Sequence, residues 1–420
     1  MARFAVAAAF EAALIVASSA FAGDVTKKLE NLGIPLSKRY ADSAYKGCGC
    51  YARNVWALKA FDGRIYIGAG NSANGGPASN AGPVPVFSYD PKARTFSEEW
   101  SVPDEQIDIY HEFSDGRLYI PGHDPREDWK LGNFYRRGKG AAGKWEKVRT
   151  LPDGVHCYDM EEFDGKLFAC GYGVYESADW GKTVSHVRGP RYYAFLKFAK
   201  TLYAVASATP KREIHGKMPN GKTYHATAPA HFGVSRRPLG GTNEFLRAVS
   251  PESIFPDTPE VAKEELKLIR PAKIGGHLLC IGGIVHNDHQ IDPLGAYLAK
   301  DGPKCFTTER VKLPEGARPW YTMAFKDKAY LLFSVKDAKN GGYVNHVWVT
   351  ADGRKFTELL SFHADAFARS MEYFGGYLYF GLGSEVAEHG HFEGNSLKLK
   401  FSANELDQAS GMILRLKTRL

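Results

Sequence analysis

The chain has 420 residues, 44% of them hydrophobic and 13% aromatic, which is ample for a large buried core. Its net charge of +7 and pI near 8.9 give a mild positive excess, which suits an anionic partner or serves ordinary solubility. Beyond the N-terminal segment no stretch approaches the roughly 20 apolar residues of a membrane span, and long helical periodicity is scarce beside 44 glycines and 22 prolines, so the composition favours an all-β class.

The first 22 residues read as a signal peptide. Arg3 supplies a positive n-region, an apolar segment follows, and Ala20-Phe21-Ala22 is an A-x-A-like cleavage site, although Glu11 is unusual within such a segment. Cleavage after Ala22 leaves a single domain, residues 23–420, expected to be secreted or periplasmic, with no membrane insertion after cleavage. Exported proteins seldom meet nucleic acid, so an acidic glycan, an acidic polysaccharide or the cell envelope is the expected partner. Export also permits disulfides. Of the six cysteines, Cys280 and Cys305 lie within one repeat and form the favoured pair; free buried thiols are the alternative. Cys48-Gly49-Cys50 is too isolated for a metal site.

Internal repeats dominate the rest. An aromatic or apolar residue, a turn rich in Asp and Gly, a polar residue and then an apolar-aromatic run recur seven times. The copies begin at Ala60, Phe113, Phe163, Phe198, Ile274, Phe325 and Phe374. The best copies, such as Phe61-Asp62-Gly63-Arg64-Ile65-Tyr66 and Phe163-Asp164-Gly165-Lys166-Leu167-Phe168, are β-hairpin signals. Val155 to Val187 reads as a complete four-stranded meander, with strands at Lys166–Cys170 and Val174–Ser177 in its middle. The spacing averages roughly 50 residues, a propeller period, and predicts a seven-bladed β-propeller of four-stranded antiparallel blades. The longest gap holds an excursion from Ala208 to Pro229 and a helix-compatible stretch from Pro259 to Leu268. The chain ends on one strand, Met412 to Lys417. A segment between about Leu32 and Tyr45 is expected to pair with it and close the ring from both termini.

The second hairpin of a repeat has its own signature. Ser177-Ala178-Asp179-Trp180-Gly181-Lys182-Thr183 fits S-x-D-x-G-x-T, and the runs from Thr350 to Phe356 and Lys300 to Phe306 are degenerate copies. In this the chain resembles the sialidase-like Asp-box (BNR-repeat) propellers, with Val184 where the motif usually closes on Trp. The resemblance implies the fold; in that superfamily the Asp box is a structural turn far from the active face, so it implies no activity.

Propeller topology places the start of each innermost strand and the loop after each second strand on one face. Those positions bring Arg53, Arg191, Arg318 and Arg369 to the mouth with Asn71, His123, His156, Tyr158, Tyr192, Tyr193 and Trp320. Guanidinium forks bind carboxylate or sulfate bidentately and keep their charge. The arginines therefore either surround an anion or each pair with a nearby acid such as Glu105, Asp124 or Asp159. His156 and His123 are candidate general bases. With Tyr193 or Tyr158 as acid and Arg191 as carboxylate partner they supply the groups that β-elimination at a uronic acid needs. Some polysaccharide lyases are propellers that use His, Tyr and Arg, and this set is similar in kind. Arg53, Arg318, Arg369, Trp320, Tyr158 and Asn71 are the expected substrate-binding residues, with aromatic rings for sugar stacking. A non-catalytic glycan or envelope-binding module stays open, as does a scaffold.

A glycoside hydrolase of sialidase type is the second alternative: it needs an arginine triad, which is available, and a Tyr/Glu nucleophile pair, but sialidase domains have six blades against the seven repeats counted. Other hydrolysis needs paired carboxylates, and nothing pairs Glu105, Asp124, Asp159 and Glu385 by spacing. The pairs His286/His289 and His389/His391 are weak metal signals without a third ligand, and surface loops are the simpler reading. The run Gly68 to Gly76 leads into no helix and is not a nucleotide loop. No cofactor is expected.

Overall fold

The structure is a computed structural model that describes residues 23–41, 49–72, 81–123, 130–217, 223–246, 249–286, 290–384, 390–393, 396–399 and 408–420. The predicted signal peptide, Cys48, Asp124, Asp288, His289, Glu385 and His389 lie outside these residues, as do the side chains of His286 and His391.

After a short strand β1 (Glu30–Gly33), the chain builds one antiparallel sheet after another. The first is β2 (Ala57–Phe61), β3 (Arg64–Gly68), β4 (Val84–Asp90) and β5 (Thr95–Val102). The next is β6 (His111–Glu112), β7 (Leu118–Pro121), β8 (Leu131–Arg137) and β9 (Trp145–Pro152). Then come β10 (Asp159–Phe163), β11 (Lys166–Ser177) and β12 (Ser185–Arg191). Strands β13 (Ala194–Lys197) and β14 (Thr201–Thr209) lead into a projecting hairpin, β15 (Arg212–Lys217) and β16 (Thr223–Ala228), before β17 (His231–Pro238) and β18 (Glu244–Leu246) finish that sheet. A single bridge from Ala208 to Leu266 links it to β19 (Leu266–Ile274), β20 (His277–His286), β21 (Gln290–Lys300) and β22 (Thr307–Arg310). Strands β23 (Arg318–Phe325), β24 (Lys328–Lys336), β25 (Tyr343–Thr350) and β26 (Thr357–Ala364) follow. The last sheet holds β27 (Phe367–Phe374), β28 (Tyr377–Gly383) and β31 (Ile413–Lys417), with the hairpin β29 (Gly390–Glu393) and β30 (Ser396–Leu399) between β28 and β31.

The repeated turns explain the hairpins. Asp62 and Gly63 have φ of 50° and 78°, Asp164 and Gly165 53° and 67°, and Gly375 and Gly376 59° and 82°. Left-handed backbone at both central residues matches the twist of the flanking strands, and Asp-Gly or Gly-Gly adopts it at least cost. Each second strand then drives a large side chain into the core. Tyr66, Tyr119, Tyr203, Tyr330 and Tyr379 hold equivalent places and are all buried. A buried phenol needs a partner: Tyr119 Oη donates to Asp115 at 2.6 Å and Tyr203 Oη to Asp301 at 2.8 Å.

Successive sheets meet through their innermost strands. Phe195 N on β13 donates to Asp159 Oδ2 on β10 at 2.7 Å, and Ser370 Oγ on β27 donates to Val55 O, just before β2, at 2.9 Å. The first and last sheets share a core that includes Val55, Leu58, Ile65, Tyr379 and Ile413. Sheets of this kind, packed face to face with their first strands innermost, make a β-propeller.

Several expectations are corrected. Residues Lys166 to Ser177 form one strand instead of two, so that sheet has three strands. Gly171-Tyr172-Gly173 between the two predicted segments does not reverse the chain; Gly173, at φ 112°, instead allows a bulge where β11 changes partner from β10 to β12. The helix-compatible stretch holds one 3-10 turn, Pro259–Ala262, and Leu266 already starts β19. The strand beside β31 is Glu30–Gly33, earlier than the expected Leu32 to Tyr45; Gly33 ends it at φ 104°, and Tyr40 beyond it is buried in a different core.

The predicted disulfide does not form. Among the described residues Cys157, Cys170, Cys280 and Cys305 are free thiols. Cys280 points from β20 into an apolar core, and burial pushes its thiol up, as it does those of Cys157 and Cys170. In the denatured, unreduced chain Cys280 and Cys305 are therefore both expected to be alkylated; a peptide joined through the two would show a bridge.

The Asp179 turn is a closed set of local bonds. Its Oδ1 accepts from Thr183 N at 2.8 Å, its Oδ2 from Thr183 Oγ1 at 2.7 Å, and Ser177 Oγ accepts from Gly181 N at 2.7 Å. These bonds, led by that from Thr183 N, lower the Asp179 pKa to about 2. A depressed carboxylate contributes stability that is present above its unfolded value and fades as pH falls through the folded one. Asp179→Ala is thus expected to lower Tm at pH 7, with the difference from the parent shrinking between about pH 4 and pH 2. A pH-independent difference would mean that the charge is not what holds the turn.

Candidate functional site

The starts of the innermost strands and the loops after the second strands face one cavity of about 360 Å³, within the usual size of a small-molecule site. Backbone bridges run round part of its rim, from Gly70 to Gln106, from Gln106 to His123 and from His123 to His156. Cys157 N adds a bond to Gly122 O at 2.8 Å, and His123 N donates to Asp104 Oδ2 at 3.1 Å. Gly171 is required here: a Cβ on it would stand 1.9 Å from His156 O. The second strand can thus lie directly behind His156.

One wall is a row of rings. His156 stacks on Tyr158 with centroids 5.2 Å apart, and Tyr158 lies 4.8 Å from Tyr193. His123 meets Tyr158 edge-on at 5.2 Å and lies 6.0 Å from His156. Arg191 sits over Tyr172 at 4.8 Å and Tyr158 at 6.0 Å, and it donates to Tyr172 Oη. Burial opposes its charge, but the phenols of Tyr158, Tyr172 and Tyr193 outweigh this and hold Arg191 above the ordinary guanidinium value. Lys267, 5% exposed, places Nζ 3.5 Å from the Tyr193 ring centroid. Beneath the row, Asp159 accepts from Phe195 N and Met160 N and lies 2.8 Å from His111 Nε2, which ties down the start of β10.

The opposite wall is made by bulges. Pairing slips between Ile269 and Ala272 on β19, between Pro319 and Tyr321 on β23, and between Ala368 and Ser370 on β27. The residues left over include Arg270, Trp320 and Arg369, and all three line the cavity. A bulge turns its extra side chain out of the sheet's alternation, so three successive innermost strands aim a large group at the same space. Arg369 lies 3.5 Å from the Trp56 ring centroid and 5.3 Å from that of Trp320.

The predicted residues therefore divide. His123, His156, Tyr158, Arg191, Tyr193, Trp320 and Arg369 come together. Arg53 does not line the cavity: it is 4% exposed and donates to Tyr40 O at 3.0 Å and Ser410 O at 3.4 Å. Arg318 pairs with Asp292 beside Trp320, outside the lining. Asn71 is buried and bonded through its backbone to Glu105 and Ala81, and Tyr192 is a core residue. Trp320 stacks on Phe367 at 3.9 Å and is only 5% exposed, so little of its ring is open to a sugar. Trp56, Lys267 and Arg270 were not among the predicted site residues. The signal that points to Arg270 is the proline after it, since a proline inside a strand marks an edge or a bulge. Among the described residues no three His, Cys, Asp or Glu side chains gather as a metal set.

Neither a family model nor a curated protein matches the sequence. Among solved structures, virginiamycin B lyase from Staphylococcus aureus is similar at 10% identity and a TM-score of 0.44, over 88% of this chain and 96% of that one. A catalytically inactive variant of that enzyme with quinupristin gives 11% and 0.47, over 93% and 99%. The propeller domain of the Trilobed protease from Pyrococcus furiosus gives 10% and 0.41, over 79% and 90%. Similarities this low say nothing about what this chain does.

Proposed function

We propose that this chain is an exported seven-bladed propeller of the Asp-box type, its ring closed by β1 on β31, that cleaves an acidic polysaccharide by β-elimination. The observation that carries the reading is the row His156–Tyr158–Tyr193 beside Arg191, all on one wall of one cavity. In this reaction His156 removes the proton from C5 of a uronic acid, with His123 as the neighbouring imidazole. The C–H electron pair forms the C4=C5 double bond as the C4–O bond breaks, and Tyr193 gives its phenolic proton to the departing oxygen. Arg191 faces the substrate carboxylate and stabilises the charge that gathers there before the bond breaks. Water does not enter the products, so the new chain end is unsaturated.

A second reading is a non-catalytic glycan-binding module in the same location, and the Trp56–Arg369 pair favours it, because it offers an aromatic face and a cation without needing a base. The deciding experiment incubates the purified chain with a panel of uronate polysaccharides and follows the ultraviolet absorbance of the conjugated double bond. Product formation supports the lyase. Binding without product across the panel supports the module.

A further inference from the structure

Arg270 holds an unusual place among the cations of the cavity. Its backbone is left-handed, at φ 53°, inside the bulge of β19, and its carbonyl is held by Thr322 Oγ1. The side chain does not follow its own sheet. Nη2 donates to Trp56 O at 3.0 Å and Asp108 O at 3.2 Å, in the segments that precede β2 and β6. Strand β19 packs on β13, β14, β20 and β23, while Trp56 and Asp108 precede the first strands of two other sheets, so the guanidinium reaches across the cavity. It also lies 4.9 Å from the Tyr321 ring centroid.

Among the described residues the charge of Arg270 has no counter-ion. Both acceptors of Nη2 are neutral carbonyls, and Nη1 is enclosed without an acceptor. The side chain makes no ion pair with any described carboxylate, whereas Arg318 on the next innermost strand is neutralised by Asp292. Arg191 likewise bonds to a phenol rather than to an acid. Two guanidiniums thus line one cavity with their charges uncompensated. An unpaired charge held partly out of water is costly, and a ligand anion offsets that cost. Strain in the backbone at such a position is the kind retained for a binding role.

We propose that Arg270 forms a second anion subsite, separate from the one at Arg191, and that the cavity takes ligands with two neighbouring acidic groups, as adjacent acidic units of one glycan chain provide. This deepens the lyase reading and rests on it for the identity of the ligand, but the subsite stands on its own geometry. In it Arg270 is a binding residue for the unit next to the bond that breaks.

Crystals of the full chain soaked in sodium selenate test this directly. Anomalous peaks are expected beside both Arg191 and Arg270, and in Arg270→Gln the second is expected to vanish while the first remains. No peak beside Arg270 in the parent chain overturns the subsite, and that arm does not depend on whether the variant folds. On whichever uronate polymer gives product, Arg270→Gln is expected to raise KM at least tenfold with kcat changed less than threefold, and Arg270→Lys to recover part of the loss. An unchanged KM also overturns the proposal. A selenate peak at Arg270 with no elimination on any polymer leaves the subsite standing and removes the lyase reading.

Discussion

His156→Ala is expected to slow elimination by about 10²–10⁴-fold, the usual worth of a positioned acid or base. The reason lies in how the ring is held. Gly171 backs its carbonyl, the bridge to His123 fixes its backbone, and Tyr158 stacks on its face. The first two are backbone contacts, so the substitution removes the base and the stack on Tyr158 and leaves the strand start in place. Next to it Cys157 and Met160 are fully buried and keep the sheet packed. Tyr193→Phe is the companion variant. It keeps the ring contacts to Tyr158 and Lys267 and removes only the hydroxyl. A comparable loss of kcat with an unchanged melting temperature assigns proton donation to that oxygen. Product formation within threefold of the parent in both variants would sink the assignment of acid and base. His123→Ala separates the two imidazoles, because a larger loss there than at His156 would exchange their roles.

Deletion of residues 23–33 is expected to destabilise the fold by about 3 kcal/mol or more. Val25 is 2% exposed in the core of the last two sheets, and its burial alone is worth about 1.5–3 kcal/mol. Leu29 packs against the same core, and Leu32 against the core shared by the first and last sheets. Val25 N also bonds to Ser361 O at 2.8 Å, and Thr26 Oγ1 accepts from His363 N, so the segment ties β26 as well as β31. Without β1, one edge of β31 has no partner, and Arg415, 5% exposed, loses the carboxylate of Glu30 that its Nε meets at 2.7 Å. Arg94→Ala is the control. It removes an exposed pair to the same Glu30 and is expected to change stability by less than about 1 kcal/mol. Urea melts of the three proteins read the difference; a truncated chain as stable as the parent would mean that β1 is an ornament on the edge of β31 and that the fold does not depend on it.

The two expectations differ in how far they were legible in the sequence. The hairpins were, because an Asp-Gly or Gly-Gly turn and a two-residue alternation are local. Asp62-Gly63 needs nothing beyond its own φ angles to reverse the chain. The tyrosines of the second strands were legible for the same reason. The mouth was partly so. His156, Tyr158 and Tyr193 lie just before β10 and β13, where topology alone brings positions to one face, and Arg191, expected there too, is the last residue of β12 and reaches the same face. Arg53 occupies an equivalent place in sequence yet is turned away, because Gly49–Ala52 is a helical turn and the carbonyls of Tyr40 and Ser410 wait on its other side. Those two partners are 13 and 357 residues distant, and no spacing rule connects them.

By itself, then, the chain's sequence determined the β-sheet units, their turns and the strand starts that reach the mouth, since these follow from backbone preferences over a few residues. The tertiary structure alone decided which cations meet in the cavity. Bulges at Arg270, Trp320 and Arg369 re-aim side chains by an amount set by pairing with the neighbouring strand. The bonds from Arg270 to Trp56 and Asp108 span 214 and 162 residues. The free cysteines have the same origin. Cys280 and Cys305 are close in sequence and reach the same core, but Cys280 is buried within it on β20 while Cys305 packs at its edge, before β22, and the two do not bond. The direction of a side chain across a sheet is fixed by register and burial, and proximity along the chain does not set it.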